Sequence, residues 1–284
     1  MTRPAHADDM ATELQLAAQR HELLLEYQPK LDLVTGELSG VEALMRWQSP
    51  KYGLVGPDTF IPLAERTGSI DALTEWGLRA ALWQWLAWRD QGFKIDIAFN
   101  ISALTLRDVD FPDYLQRLCL LQGVPCEALT LEVTEGATQC VVSLLDTLTR
   151  FRIKGMNLAL DDFGTGYSSL LQLRELPYTE LKIDCCFIAD AVKDEEATII
   201  VKSVIDLAHG LGLVATAEGV EDEATLDLLC AMGCDRAQGF FISPPMRATN
   251  LVPWILETLE GWRWSCAERA AQHSGEGQRH ANAN

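Results

Sequence analysis

Eight short runs of β-type residues recur along this chain, with longer amphipathic runs between most of them, and that alternation limits the fold more than any other feature. The runs are Leu23–Tyr27, Gly40–Trp47, Ile95–Ser102, Leu129–Thr134, Asn157–Asp161, Glu180–Asp184, Leu213–Glu218 and Asp235–Phe240. Helical periodicity fills Asp71–Gln91, Pro112–Gln122, Val141–Arg152, Glu195–Leu211 and Glu223–Met232. Eight strands with interposed helices in about 250 residues fit a closed (β/α)8 TIM-like barrel, with an open doubly wound sheet as the alternative from pattern alone. Only Pro29 to Ser39, with a turn signal at Thr35-Gly36, joins the first two strands. That is short for a parallel crossover, so the first strand is expected to run antiparallel to its neighbour.

Side-chain alternation then decides which residues face the barrel axis. In Ile95–Ser102 the inward set contains Asn100; in Leu129–Glu135 it contains Glu132; in Asn157–Asp161 it ends on Asp161. Lys182 and Asp184 share one face of their run, and Glu218 closes another. Strand after strand finishes in a polar, mostly acidic residue, at the end where barrel enzymes build their sites. Taken singly, each has a structural use: a strand-end acid can cap the next helix, Asn100 can close a turn, and Lys182 can balance Asp184 or Asp162. Capping, however, does not require inward parity on successive strands.

Glu42, Asn100, Glu132, Asp161 and Asp162 offer only oxygen ligands, which suits Mg²⁺ or Mn²⁺ better than zinc. Four of the five histidines, His6, His21, His273 and His280, lie near or beyond the ends of the pattern, which disfavours a histidine site. Two cations about 3.5–4 Å apart sharing Asp161 could activate a water against a phosphate diester. The net charge of −18 points the same way: it argues against general nucleic-acid binding and leaves a phosphate substrate in need of bound cations.

With 48% hydrophobic and 23% charged residues, a large packed core is expected and disorder is excluded for most of the chain. The expected domain is one barrel over residues 11–264, with polar tails at 1–10 and 265–284 frayed. No run is long and apolar enough for a membrane span and the N-terminus lacks a signal-peptide centre, so a cytoplasmic location is expected. The eight cysteines show no Cys-x-x-Cys pair and read as reduced, mostly buried thiols. Trp83, Trp85 and Trp88 read as core or interface. The two glycines of Asp161–Leu170 read as a tight turn or hinge.

With these residues in place, the chain closely resembles the EAL-domain family, bacterial phosphodiesterases that open cyclic di-GMP to linear pGpG. The resemblance covers about Glu13 to Trp262 and rests on motifs in family order: Tyr-Gln-Pro at Tyr27–Pro29, Glu-Ala-Leu-x-Arg-Trp at Glu42–Trp47, Asn-x-Ser at Asn100–Ser102 and Glu-x-Thr-Glu at Glu132–Glu135. They continue with Asp-Asp-Phe-Gly-Thr-Gly-Tyr-Ser-Ser-Leu at Asp161–Leu170, Lys-Ile-Asp at Lys182–Asp184, Ala-Glu-Gly-Val-Glu at Ala217–Glu221 and Gln-Gly-Phe at Gln238–Phe240.

The resemblance implies that Glu42, Asn100, Glu132 and Asp161 hold one metal, with Asp161 and Asp162 serving a second and Glu218 a further candidate for it. Lys182 would orient or deprotonate the attacking water, with Asp184 in support. Gln28, Leu44, Arg46, Gln238 and Glu221 would contact the dinucleotide, Arg46 being suited to a phosphate oxygen. Glu135 would pin the Asp161–Leu170 loop, which in this family links the site to a homodimer interface. An upstream sensor or cyclase domain in a longer parent protein is a further expectation. One departure stands out: Cys185-Cys186 replaces the basic residue and serine that often follow Lys-Ile-Asp. The rival reading is a non-catalytic cyclic di-GMP receptor that signals through a protein partner, and a more distant one is a barrel hydrolase of another phosphodiester.

Overall fold

The computed structural model describes residues 4–135, 141–164, 170–258 and 266–267. In chain order the elements begin with α1 (Pro4–Ala17), β1 (Leu23–Asp32), β2 (Leu38–Ser49), β3 (Gly53–Val55), α2 (Pro57–Thr67) and α3 (Ile70–Arg89). Next come β4 (Ile97–Asn100), α4 (Phe111–Gln122), β5 (Leu129–Thr134), α5 (Val141–Ile153), β6 (Asn157–Phe163), α6 (Leu170–Glu175) and β7 (Glu180–Ile183). The rest are α7 (Cys185–Ile188), α8 (Glu195–Gly210), β8 (Val214–Ala217), α9 (Glu223–Met232), β9 (Arg236–Ala237) and α10 (Ala248–Thr258).

Hydrogen bonding runs β1-β9-β8-β7-β6-β5-β4-β2, and β1 pairs back onto β2, which closes an eight-stranded barrel. Strand β1 is antiparallel to both neighbours, with Gln28 opposite Glu42 and Leu31 opposite Ala237. The cause lies in the turn. Asp32 Oδ1 accepts from the backbone N–H groups of Val34 (2.9 Å) and Thr35 (2.8 Å), and Gly36 takes a φ of 76°, so the chain reverses at once. The short strand β3 is a hairpin extension of β2 outside the barrel. Helix α2, which the sequence reading left out, starts on Pro57 and contains Pro62; Phe60, Leu63 and Ala64 bury against the barrel.

Several expectations need correcting. Helix α1 starts at Pro4, inside the segment expected to fray: Asp9 pairs with Lys51 and accepts from Tyr52 Oη at 2.8 Å, while Leu14 and Ala17 are fully buried. At the other end, Cys266 N–H donates to Leu33 O at 2.8 Å and its sulfur is bonded to Cys230 on α9. The thiols are therefore not all reduced. Thirty-six residues separate that pair, so spacing gave no sign of it; the fold brings their Cα atoms to 5.2 Å. Cys119, Cys126 and Cys234 are free and buried as expected, whereas Cys185 and Cys186 are free and exposed. Cys140 and residues 268–284 lie outside the described residues.

Trp85 and Trp88 sit in the core, Trp88 edge-on to Tyr27 with ring centroids 4.8 Å apart, but Trp83 is 69% exposed. No described helix is long and apolar enough to cross a membrane.

Candidate active site

The carboxylates expected to converge do so at the C-terminal ends of the parallel strands. Register carries them there: Glu42 on β2 lies beside Ala98, and Asn100 on β4 beside Glu132 on β5. Asn100 Nδ2 donates to Glu42 Oε1 at 2.7 Å, and Gln238 Nε2 donates to Glu42 Oε2 at 2.7 Å and to Gln28 Oε1 at 3.0 Å. Gln28 in turn donates to Ser243 O at 3.1 Å.

Plain alternation would send Asp162 away from Asp161. The pairing of β6 with β7 slips between Leu160 and Phe163, and Asp162 adopts a left-handed φ of 56°. This bulge turns two consecutive carboxylates to one place, where Asp161, Asp162 and Glu218 each bring an oxygen within 4.8 Å of the others. An all-oxygen set at this spacing fits a hard divalent cation.

Lys182, 1% exposed, reaches up among the acids: Glu218 Oε1 at 2.7 Å, Glu132 Oε2 at 2.9 Å, Asp161 Oδ1 at 3.0 Å and Glu42 Oε2 at 3.8 Å. Neither Asp184 nor Asp162, the partners weighed for it from sequence, is among them. Burial alone would lower the Lys182 ammonium, yet Glu132, Glu218, Glu42 and Asp161 hold it well above its ordinary value. Burial pushes Glu218 up to about 8, against the opposing pull of Lys182. Asp162 rises to about 6 through burial and the neighbouring Asp161 and Asp184. Glu132, with no exposed surface, is also raised, by burial and by Glu42.

The remaining expected residues fall around this centre. Asp184 caps α7, accepting from Cys186 N–H at 2.8 Å. Glu135 accepts from Gly164 N–H at 2.9 Å and so holds the start of the Asp161–Leu170 loop; residues 165–169 lie outside the described residues. Arg46 Nε donates to Glu26 Oε2 at 2.9 Å, an acid on β1 that sequence reasoning passed over. Glu221 is exposed, four residues beyond the end of β8. Among the described residues, Gln238 Oε1 is buried without a hydrogen-bond partner. Gly239 shows how tightly this strand end is held: a Cβ there would come within 2.1 Å of Val220 O.

Beside the acids opens a groove of about 560 Å³, walled by Leu44, Pro57, Ile61, Phe99 and Ser102 and ending on Asn100, Asp161 and Asp162. Ser102 Oγ donates to Glu65 Oε1 at 2.6 Å, tying α2 to the strand-end loop. An apolar slot leading to a carboxylate cluster suits a flat ring joined to a phosphate held through cations.

A closed barrel with acids gathered at its C-terminal rim carries them where barrel enzymes build their sites. More narrowly, the chain belongs to the EAL domain family, whose profile matches residues 11–245. It is 41% identical over 232 residues to Cyclic di-GMP phosphodiesterase PA2567 of Pseudomonas aeruginosa, covering 81% of this chain and 40% of the relative. Identity is also 41% over 242 residues with Bifunctional diguanylate cyclase/cyclic di-GMP phosphodiesterase MucR of the same organism, covering 84% of this chain and 35% of the relative. This chain thus spans about two-fifths or less of these curated relatives. Among solved structures, the PaMucR phosphodiesterase in its c-di-GMP complex aligns with a TM-score of 0.81 at 40% identity, over 86% of this chain and 99% of that one. The EAL enzyme Bd1971 with cAMP and cyclic di-GMP bound gives 0.85 at 30% identity, over 89% of this chain and 70% of that one.

Proposed function

We propose that this barrel hydrolyses cyclic di-GMP to linear pGpG with two divalent cations, Mg²⁺ or Mn²⁺, at the strand ends. The observation that carries the reading is the joint placement of Asp161, Asp162 and Glu218 around one point, with Lys182 among them. Glu42, Asn100, Glu132 and Asp161 would hold one cation, and Asp161, Asp162 and Glu218 the other. Bound there, the cations supply a nucleophile at neutral pH and neutralise charge on the phosphate. Lys182, kept an ammonium by the acids around it, suits orienting the attacking water better than deprotonating it. Arg46, already aligned by Glu26, would meet a phosphate oxygen, and Gln28, Leu44 and Gln238 would position a guanine. Asp184 acts through the helix it caps, Glu135 through the loop it holds, and Glu221 would meet the ligand from the rim.

A homodimer, an upstream sensor or cyclase domain and a cytoplasmic setting belong to the same reading. The bifunctional name of one relative and the fraction of it that this chain covers support the second of these.

The test is incubation of the purified chain with cyclic di-GMP and Mg²⁺ or Mn²⁺, followed by chromatography. Appearance of pGpG is expected. Tight binding with no product in either metal would leave a receptor that reports occupancy to a partner protein.

A further inference from the structure

Beneath the carboxylate cluster, the barrel interior holds charges that the proposed hydrolysis does not use. Lys30 on β1 is 3% exposed, with its Nζ 3.1 Å from Glu132 Oε1 and 3.6 Å from Glu180 Oε1. Glu180 on β7 also accepts from Thr216 Oγ1 at 2.7 Å and from Arg236 Nη1 at 2.9 Å. Charges therefore alternate down the axis in the order Lys182, Glu132, Lys30, Glu180 and Arg236. Burial would lower the Lys30 ammonium, but Glu180 and Glu132 hold it above its ordinary value.

The two lysines serve Glu132 differently. Lys182 takes its Oε2 and divides its attention among Asp161, Glu218 and Glu42 as well. Lys30 takes its Oε1 and, of the acids at the rim, pairs with Glu132 alone. A carboxylate without exposed surface cannot replace a lost partner with bulk water.

We propose that Lys30 is a positioning residue for Glu132: it anchors Oε1 toward the barrel floor, so that Oε2 is the oxygen turned to the rim and to a cation there. Without that anchor, Glu132 turns both oxygens to Lys182 and draws the ammonium off Asp161 and Glu218. The inference rests on the metal-dependent reading above. A merely structural Lys30 would act instead by neutralising Glu180.

The experiment measures Mn²⁺ affinity by electron paramagnetic resonance, at fixed pH and ionic strength, beside the melting temperature in chelator. The full chain is compared with Lys30→Met, Lys30→Arg and the double variant Lys30→Met/Glu180→Gln. Wild type must bind Mn²⁺ and turn over cyclic di-GMP; failure there overturns the metal-dependent reading and this inference with it. Lys30→Met is expected to bind Mn²⁺ about tenfold or more weakly, in the range seen when a ligand's supporting group is removed, and Lys30→Arg to recover most of the loss. The double variant should regain melting temperature but not Mn²⁺ affinity. Recovery of both, or unchanged affinity in Lys30→Met, overturns the inference. Should Lys30→Met not fold, the double variant carries the comparison. If that fails too, the ζ-¹⁵N resonance of Lys30 in wild type must shift on saturation with Mg²⁺, and a fixed resonance overturns the inference.

Discussion

At the scale of single residues, the site is a contest between burial and pairing, and Glu218 shows its sign. Its carboxyl sits near 8 in the folded chain against an ordinary value near 4.5. Between those values the native state binds the proton more tightly than the unfolded state does. The metal-free protein therefore loses stability as pH rises from about 4.5 to 8. Cations need the carboxylate, so binding them at pH 7 should expel a proton. Calorimetry in buffers of different ionisation enthalpy should show that release, and Glu218→Gln should reduce both it and the pH slope of the melting temperature; a slope unchanged in that variant would place the proton elsewhere. Glu42 is bound by Asn100 and Gln238 as well as lying near Lys182, so Glu42→Ala removes a proposed ligand and unseats two amides. Turnover should fall about 100-fold or more, at or beyond the loss seen when a ligand's supporting group is removed. A near-full rate would mean that Glu42 holds no metal.

The sequence made most of this arrangement legible because inward parity and motif coincide on Asn100, Glu132 and Asp161, with Glu42 marked by its motif. It did not reveal Lys30 as a partner of Glu132. Pro29 marks an end for a strand read on propensity, so the sequence pattern stops at Tyr27, although β1 continues to Asp32 with Pro29 opposite Val41. Glu26 escaped for a related reason: an acid within an apolar run carries no signal until β2 places Arg46 beside it.

At the scale of elements, strand cores were legible and strand ends were not. Strand β5 coincides with the run read from sequence, whereas β9 keeps only two of the six residues expected. The reason is local: after Ala237 the chain leaves the ladder, Gln238 N–H still donating to Ala217 O at 2.8 Å, to pack Gly239 against Val220. That departure places Gln238 over Glu42. Gly239→Ala would drive a methyl into the Val220 backbone, with a cost of about 1–3 kcal/mol if the strand end yields to an overpacked site. Because Val220 N–H donates to Gln238 O at 3.1 Å, the displacement moves Gln238, and KM for cyclic di-GMP should rise more than kcat falls. Equal losses in both, with an unchanged fold by circular dichroism, would separate Gly239 from substrate positioning. Helix α2 was missed because Pro57 and Pro62 break the periodic signal, although the first fits the opening turn. The cost of missing it was a groove wall.

At the scale of the whole molecule, a net charge of −18 is compatible with the proposed phosphate diester site because cations would offset the acids at the rim, while Glu180 deeper in the barrel is matched by Lys30 and Arg236. Composition gave the sum but not this division. Nor did it give the cross-link between Cys230 and Cys266, which closes a segment containing Gln238, Ser243 and Met246. Gln28 donates to Ser243 O, and Met246 exchanges backbone hydrogen bonds with Tyr27 at 2.7 and 3.0 Å, so that segment reaches the site from β1 as well as from β9. On the chain-entropy account, opening a cross-link across about 36 residues costs about 4 kcal/mol at 25 °C. The oxidised protein should therefore show a higher denaturant midpoint than the reduced protein, with a smaller m because the cross-link compacts the unfolded chain. Cys266→Ser should match the reduced form with or without reductant. Because the freed segment carries Gln238, reduction should also raise KM for cyclic di-GMP, measured with Mg²⁺ present. Identical midpoints before and after reduction would show that the segment is held by its packing on Leu33 and Tyr27 rather than by the bond.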